Sequence, residues 1–243
     1  MIREAGIGEG QLSHGLLRLG PRSDSSHANY SHLWTLRTGT IYGMNKGRAW
    51  LLAYGVLTVV HLVTIAIGET WSQLITKVLL MPVLAVWVRL NRGPTTLLVA
   101  LVASLAGDFL LQVDQLLPGM AAFGVAHVCY LMLFVHRARR RSLLVVAVYA
   151  VVWLGALVLL WSGLGDIRFP VALYSLLVTA TAVTSAWNGW RPGLGGALFL
   201  ISDGLIGAGL AGHGFAGRDY LVMATYCIAQ YLLASSLLRG DRR

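Results

Sequence analysis

The sequence predicts an all-α fold: a polytopic membrane protein built as a bundle of eight transmembrane helices. Hydrophobic residues make up 56% of the chain and charged residues only 12%, which is typical of a membrane protein rather than a soluble domain. Apolar stretches of about 17 to 20 residues, long enough to cross a bilayer as helices, recur from Ala49 onward. Basic residues are concentrated in alternate connections between these stretches, the pattern that sets membrane topology.

Residues 1–43 differ from the rest of the chain. They are rich in Ser, Gly, His and Arg, lack a sustained hydrophobic periodicity and contain no apolar segment typical of a secretory signal. We therefore predict a disordered cytoplasmic tail over 1–43 and a transmembrane domain over 44–243. Met44 directly precedes a basic stretch before the first span, so we consider it an alternative translation start. Translation from Met44 would give a protein without residues 1–43.

The eight predicted spans follow one another with short connections, so consecutive helices are expected to be antiparallel neighbours. Pro82 is the one proline in the middle of a predicted span. In chain order the spans are Ala49–Ile67, Trp71–Val88, Thr95–Gln112, Gly119–Val135, Leu143–Trp161, Phe169–Trp187, Gly193–Gly212 and Asp219–Leu238.

The basic residues predict the orientation. Twelve Lys and Arg residues lie in or beside one set of connections, whereas Arg168 and Arg218 are the two in the opposite set. By the positive-inside rule both termini are cytoplasmic, and we expect an integral protein of the cell (inner) membrane, in contact with membrane lipids. The net charge of +9 does not indicate nucleic-acid binding, because these charges follow the topology. Cys129 and Cys227 fall inside spans and are predicted to be free thiols.

Two aspartates lie at bilayer depth. Asp108 is in the third span and Asp203 is in the seventh. A carboxylate at this depth is energetically unfavourable and usually marks a functional site, although a structural pair remains the alternative.

Other polar and aromatic residues recur at helical spacing and are expected to face the interior of the bundle, where they could share one cavity. Each of these residues also has a purely structural alternative. Lys77 could only neutralise an aspartate or extend to the membrane interface, and His127 could only make hydrogen bonds within the core. The Ser and Thr side chains could only form hydrogen bonds between helices. The stripes are Gln73 and Lys77; Ser104, Asp108 and Gln112; Phe123, His127, Tyr130 and Phe134; Tyr174, Thr181 and Ser185; and Tyr226 and Gln230.

A weak internal similarity predicts a 4+4 parallel pseudo-repeat. In each half of the chain, an aspartate is followed about 20 residues later by an aromatic-rich helix that runs the other way. The compared segments are GDFLL and FGVAHVCYL in the first half, and SDGLI and YLVMATYCIAQYL in the second.

Four segments together resemble the YhhN family, whose characterised members are lysoplasmalogenases. They are LAGDFLL, AAFGVAHVCYLMLF, GGALFLISDGLI and YLVMATYCIAQYLL, and TKVLLMP is similar to the family's lysine-containing second helix. The resemblance covers roughly Ala49 to Leu238. It implies an enzyme that hydrolyses the vinyl ether bond of a lysophospholipid, a lysoplasmalogen, to a fatty aldehyde and glycerophosphoethanolamine or glycerophosphocholine. We expect no cofactor and no metal.

The resemblance also implies roles for particular residues. Asp108 and Asp203 match the paired aspartates that are the presumed catalytic groups of the family. The positions that match residues lining the substrate site are Lys77, His127, Tyr130, Tyr226 and Gln230.

The expected chemistry suits two carboxyl groups. Protonation of a vinyl ether at its β-carbon gives an oxocarbenium ion, and glycosidases handle a similar cation with paired carboxyl groups. Because an apolar bundle disfavours charge, one aspartate could stay protonated while the other stays ionised beside Lys77 or His127. Our hypothesis makes Asp203 the general acid and Asp108 the base and cation stabiliser.

Three other functions compete with this reading. A metal-dependent hydrolase would use His61, His127, Asp108 and Asp203, but no metal-binding motif such as HExxH is present. A proton-coupled transporter would need buried acids, together with interrupted helices in both halves. A non-catalytic lipid-binding membrane protein would tolerate replacement of either aspartate.

Overall fold

The computed structural model describes the backbone of residues 25–138 and 140–239, and the side chains of 46–138 and 140–238. Contacts between Cα atoms divide the chain into two units, Met1–Ile41 and Tyr42–Arg243. Within the described residues, eight helices are long and apolar enough to cross a membrane, and all eight of these stretches lie in the second unit.

The described residues form α-helices and no β-strand, which confirms the predicted all-α membrane fold. The predicted ends of the second to eighth helices lie within three residues of the observed ends. In chain order the helices are α1 (Ser25–Ile67), α2 (Thr70–Leu90), α3 (Thr95–Gln112), α4 (Leu116–Arg137), α5 (Leu143–Leu160), α6 (Arg168–Ala186), α7 (Trp190–Leu210) and α8 (Arg218–Arg239), with a 3₁₀ turn at Gly165–Ile167.

The first helix is longer than predicted. It begins at Ser25 rather than Ala49, and its membrane-compatible part is Lys46–Ile67. No proline interrupts it, and extending an existing helix needs no new nucleus, so the helix continues into the stretch predicted to be a disordered tail. Residues 1–24 of that stretch lie outside the described residues, and the boundary at Met44 stays a prediction.

Six helices close into a ring. Each helix contacts the next one in the order α2, α3, α4, α6, α7, α8, and α8 in turn contacts α2. The first helix joins the ring through hydrogen bonds: the Tyr54 hydroxyl donates to the Cys227 carbonyl of α8 at 2.9 Å, and His61 Nδ1 lies 2.7 Å from Thr76 Oγ1 of α2. The buried side chains of these helices form one apolar core. The 4+4 pseudo-repeat stays a prediction.

Two glycines allow close approach between neighbouring helices of the ring. A Cβ atom at Gly107 of α3 would overlap the Phe123 ring of α4. A Cβ atom at Gly196 of α7 would overlap Ser185 Oγ and the backbone of Ala182 on α6. Small residues at such contacts are typical of helices that pack in membranes. They set the distances at which α3 meets α4 and α6 meets α7.

The fifth helix lies outside the ring of six helices. Its main contact is with α6, and no residue of this fully described helix is buried. Its mean hydropathy, 2.8, is the highest of the eight candidate spans. An all-round apolar surface suits contact with lipid chains, so α5 adds a membrane crossing without adding to the core.

A side-chain cap fixes the start of α2. The Glu69 carboxylate accepts hydrogen bonds from the Ser72 backbone N–H, at 2.7 Å, and from the Ser72 hydroxyl. These bonds favour the ionised form and lower the pKa of Glu69 below its ordinary value. The preceding residue, Gly68, has a φ of 76°, which glycine adopts without strain.

Candidate active site

Asp108 lies inside the ring and is held by two other helices. It is buried, and its Oδ2 accepts a hydrogen bond of 2.7 Å from the hydroxyl of Tyr226 on α8. The ammonium group of Lys77 on α2 lies 3.9 Å from its Oδ1. A cation and a hydroxyl donor both stabilise an ionised carboxylate. These two contacts therefore favour the charged form of Asp108, in opposition to its burial.

Gln230 organises the hydrogen bonds around this carboxylate. Its Nε2 donates to Ser104 Oγ at 3.0 Å and to the Tyr226 hydroxyl oxygen at 3.2 Å. Its Oε1 accepts from the Tyr130 hydroxyl of α4 at 2.5 Å. Because Tyr226 accepts from Gln230, its own proton is directed to Asp108. A continuous chain of hydrogen bonds thus runs from α4 through α8 to the carboxylate on α3.

Asp203 has a different environment on the other side of the ring. Its Oδ2 accepts a hydrogen bond of 2.5 Å from the Tyr174 hydroxyl of α6 and lies 3.9 Å from His127 Nε2 of α4. Its side chain is 15% exposed, and no Lys or Arg pairs with it among the described side chains. This aspartate therefore lacks the ammonium partner that Asp108 has.

The tautomer of His127 follows from its neighbour Thr181. The Thr181 hydroxyl lies 3.1 Å from the Leu177 carbonyl and 3.4 Å from the His127 carbonyl, and both can only accept. Its oxygen, 3.2 Å from His127 Nδ1, is therefore free to accept from an Nδ1–H. Nε2 then carries a lone pair that faces Asp203. Within the described side chains this Nε2 is buried and has no hydrogen-bond partner.

Aromatic rings connect the two carboxylates. The Phe199 ring of α7 packs edge-on against His127, with centroids 4.6 Å apart, and against Tyr226 at 5.5 Å. Phe123 packs against both Phe199 and Tyr226. The side chains that hold Asp108 and Asp203 are thus in contact through Phe199.

Asp203 lines one of three adjoining spaces. A small apolar pocket contains Asp203 itself. It shares Leu111 and Leu210 with a polar cavity of about 510 Å³, which is lined by Lys77 and lies at the end of the bundle where the α3–α4 and α7–α8 connections are found. It shares Met120 and Tyr174 with an apolar groove of about 580 Å³ between α4 and α6.

The structure brings together all seven residues singled out from the sequence. Lys77, Tyr226, Gln230 and Tyr130 are linked to Asp108 directly or through hydrogen bonds, and His127 faces Asp203. Their roles stay predictions.

The sequence reasoning missed other members of this constellation. Tyr174 was recognised in a stripe with Thr181 but was not expected to bind an aspartate. Phe199 is apolar and lies in none of the polar stripes, so nothing in the sequence indicates that it belongs to the site. His61, considered as a metal ligand, lines the polar cavity. Among the described residues, no group of three or more His, Cys, Asp or Glu side chains could hold a metal ion.

The fold and this constellation define a polytopic membrane protein with two buried carboxyl groups in dissimilar settings inside one helical ring. Residues 72–237 match the family described as YhhN, and the chain belongs to that family. It is also similar to a human protein named lysoplasmalogenase TMEM86B, with 34% identity over 144 residues, which are 56% of this chain and 62% of the relative. The match thus spans less than two thirds of the relative's length. No solved structure matches the chain.

Proposed function

We propose that this protein hydrolyses the vinyl ether bond of lysoplasmalogens, releasing a fatty aldehyde and a glycerophospho-alcohol. The observation that carries the proposal is the order of the three spaces: polar cavity, pocket with Asp203, apolar groove. A lysoplasmalogen has the same order, because its vinyl ether lies between a polar headgroup with glycerol and a hydrocarbon chain. The headgroup would occupy the cavity and the chain the groove, so that the reacting bond meets Asp203.

Membership of the YhhN family and the name of the human relative support the same reaction class. The groove between α4 and α6 adds support, since it is almost entirely apolar and adjoins the pocket at Tyr174. A lipid substrate would reach the pocket sideways along this groove.

The surroundings of the two aspartates support different roles. Asp203 has no ammonium partner among the described side chains and faces the lone pair of His127, an arrangement that is favourable only if a proton lies between them. We assign Asp203 as the general acid. Asp108, beside Lys77 and Tyr226, is assigned as the ionised partner that stabilises the cation.

The proposed steps balance. Asp203 gives its proton to the β-carbon of the vinyl ether, and the resulting oxocarbenium ion is stabilised by the Asp108 carboxylate. Water adds to the cation and gives a proton to Asp108, which leaves a hemiacetal. The carbon–oxygen bond to glycerol then breaks: Asp108 returns its proton to the glycerol oxygen, and Asp203 takes the hemiacetal proton. Both aspartates end as they began.

The test is aldehyde release from lysoplasmenylethanolamine by detergent-purified protein, with and without a metal chelator. Asp108→Asn and Asp203→Asn are each expected to lower kcat by about 10²- to 10⁴-fold, the usual contribution of a general acid or base. Asp166→Asn, in the exposed α5–α6 connection, is the matched control and should retain activity. If both site variants stay active, or well-folded wild-type protein releases no aldehyde, the proposal is wrong and a transport or lipid-binding role gains support.

A second measurement separates the roles of the two aspartates. An acid must be protonated and a base ionised, so the acid controls the high-pH limb of the pH–rate profile and the base the low-pH limb. Residual activity of Asp203→Asn should therefore lose the high-pH limb, and that of Asp108→Asn the low-pH limb. If the pH–rate profiles of the two variants have identical limbs, the assignment of Asp203 as the acid and Asp108 as the base is wrong.

For the orientation, we propose cytoplasmic termini in the cell membrane. The support is the excess of basic residues in and beside one set of connections in the sequence, twelve against two. The polar cavity then opens on the opposite side. Reporter fusions to the C-terminus check this: a fluorescent protein should be active there and alkaline phosphatase inactive, and the reverse result would overturn the assignment.

A further inference from the structure

A second cation, Arg218, lines the polar cavity and takes no part in the chemistry above. It is the first residue of α8, and its side chain is 30% exposed. The guanidinium group lies against the end of α7, where a Cβ atom at Gly209 would overlap its Nη1. The absence of a side chain at Gly209 is what makes room for the guanidinium group beside the cavity.

The hydrogen bonds of Arg218 are only partly used. Its Nε and Nη2 both donate to the same oxygen, Oδ1 of Asp219, at 3.1 and 3.0 Å. Among the described residues, Nη1 donates no hydrogen bond to a side chain or carbonyl. Asp219 therefore holds the guanidinium group in place through Nε and Nη2, and the N–H groups of Nη1, beside Gly209, are not used by it. The first turn of α8 adds the positive end of the helix dipole.

The cavity has room for a ligand and the charges to select one. Its volume of about 510 Å³ far exceeds the roughly 30 Å³ of one water molecule. Both of its cations have a carboxylate partner: Lys77 lies 3.9 Å from the buried Asp108, and Arg218 donates to Asp219 through Nε and Nη2. Arg218 differs in that its Nη1 makes no hydrogen bond to a described residue, so it keeps donors for a second anion. The carboxylates of Asp114 and Asp219 also line the cavity. They oppose a highly charged anion but suit a phosphodiester that carries an ammonium group.

We propose that Arg218 binds the phosphate of the substrate headgroup and so determines selectivity for phospholipids over neutral ether lipids. The inference rests on the proposed function, since it assigns the headgroup end of the same substrate. The cavity shares Leu111 and Leu210 with the pocket of Asp203. A phosphate held at Arg218 therefore anchors the glycerol end while the vinyl ether reaches the acid.

The experiment compares two substrates with the same chain and vinyl ether: lysoplasmenylethanolamine and 1-alkenylglycerol, which has no phosphate. The selectivity is the ratio of their kcat/KM values. In Arg218→Gln this ratio should fall by about 10- to 100-fold, which corresponds to the loss of one charge-assisted hydrogen-bonding group. The fall should come mainly from a higher KM for the phospholipid. Gly209→Ala, which displaces the guanidinium group but keeps the arginine, should lower the ratio in the same direction. Arg218→Lys should give an intermediate ratio.

The outcomes are distinct. If Arg218→Gln keeps the wild-type ratio, or loses activity equally on both substrates, Arg218 does not recognise the headgroup. Inorganic phosphate, added as a competitor, tests a free anion as the source: if the ratio stays and only sensitivity to phosphate is lost, the site binds free phosphate and the proposal is wrong. If wild-type protein cleaves neither substrate, the proposed function itself fails, and this inference with it.

Discussion

Replacing Lys77 with methionine removes one charge from the active site and keeps an unbranched side chain of similar length. The ammonium group lies 3.9 Å from Asp108 Oδ1, and the two side chains are 15% and 3% exposed. The variant therefore leaves a buried carboxyl group with the Tyr226 hydrogen bond but without its cation. A lone buried carboxylate is unfavourable, so Asp108 should take up a proton at neutral pH.

The size of the effect follows from the separation of the charges. At about 4 Å and an effective dielectric constant of about 20, two unit charges attract by about 4 kcal/mol. Partial exposure of Lys77 reduces this to roughly 3–4 kcal/mol, which is about a 10²- to 10³-fold change in the ratio of ionised to protonated Asp108. Because the ionised form is the active one in the proposed mechanism, kcat at neutral pH should fall by up to about the same factor, which is reached when protonated Asp108 predominates in the variant.

The assay is the pH–rate profile of aldehyde release. Lys77→Met should regain activity as the pH rises, since Asp108 then ionises without help. Lys77→Arg keeps the charge and should retain the wild-type shape of the profile. A profile of wild-type shape in Lys77→Met, or an equal loss at every pH, would refute the reasoning. In the double variant with Asp108→Asn, the midpoint of thermal unfolding should recover relative to Lys77→Met, because the amide is neutral without the free-energy cost of protonating a carboxylate at neutral pH.

Three further variants test the packing and hydrogen bonds. Gly107→Ala should destabilise the bundle by about 1–3 kcal/mol, because its methyl group overlaps a ring of α4, whereas Gly155→Ala, with open space around it, should not; equal unfolding midpoints would contradict this. Tyr130→Phe leaves the Gln230 carbonyl oxygen without its donor and should cost about 1–3 kcal/mol, measured by thermal unfolding; an unchanged midpoint would count against the network. Glu69→Gln tests the cap of α2. Because the pKa of Glu69 is lowered in the folded protein, its stabilisation is present above the ordinary value of 4.5 and is lost as the pH falls through the lowered value. The difference in unfolding midpoint between wild type and Glu69→Gln should therefore shrink in acid; a constant difference would contradict the cap.

The helices were predictable because the bilayer imposes one strong rule, a sustained apolar run for each crossing. The α3 helix runs from Thr95 to Gln112 as predicted from its apolar run alone. The α1 helix was predicted less well, since nothing in its hydrophobicity marks a start at Ser25. Hydrophobicity locates the membrane-crossing part of a helix but does not locate the end of a helix that continues beyond the apolar run.

The site could be predicted only one helix at a time. Spacing on α3 and α4 indicated that Asp108 and His127 face inward, because lipid excludes them from the outer surface. It did not indicate that His127 meets Asp203 rather than Asp108. That pairing depends on the rotation and approach of neighbouring helices, which contacts such as the one between Gly107 and Phe123 control. These are properties of packed surfaces and leave no period in the sequence.

The lipid-exposed α5 has a consequence for the direction of the chain. Because α5 crosses the membrane once, α6 enters from the same side as α4 and lies parallel to it. Parallel alignment puts Thr181 beside His127 and, on the same helix, Tyr174 beside Asp203. Without an intervening crossing, α6 would run in the opposite direction and reverse the order of these two residues. The role of α5 is to add one crossing, which sets the direction in which α6, α7 and α8 run. This role depends on its apolar length rather than on particular residues, and deleting α5 would reverse the direction of the three helices that follow.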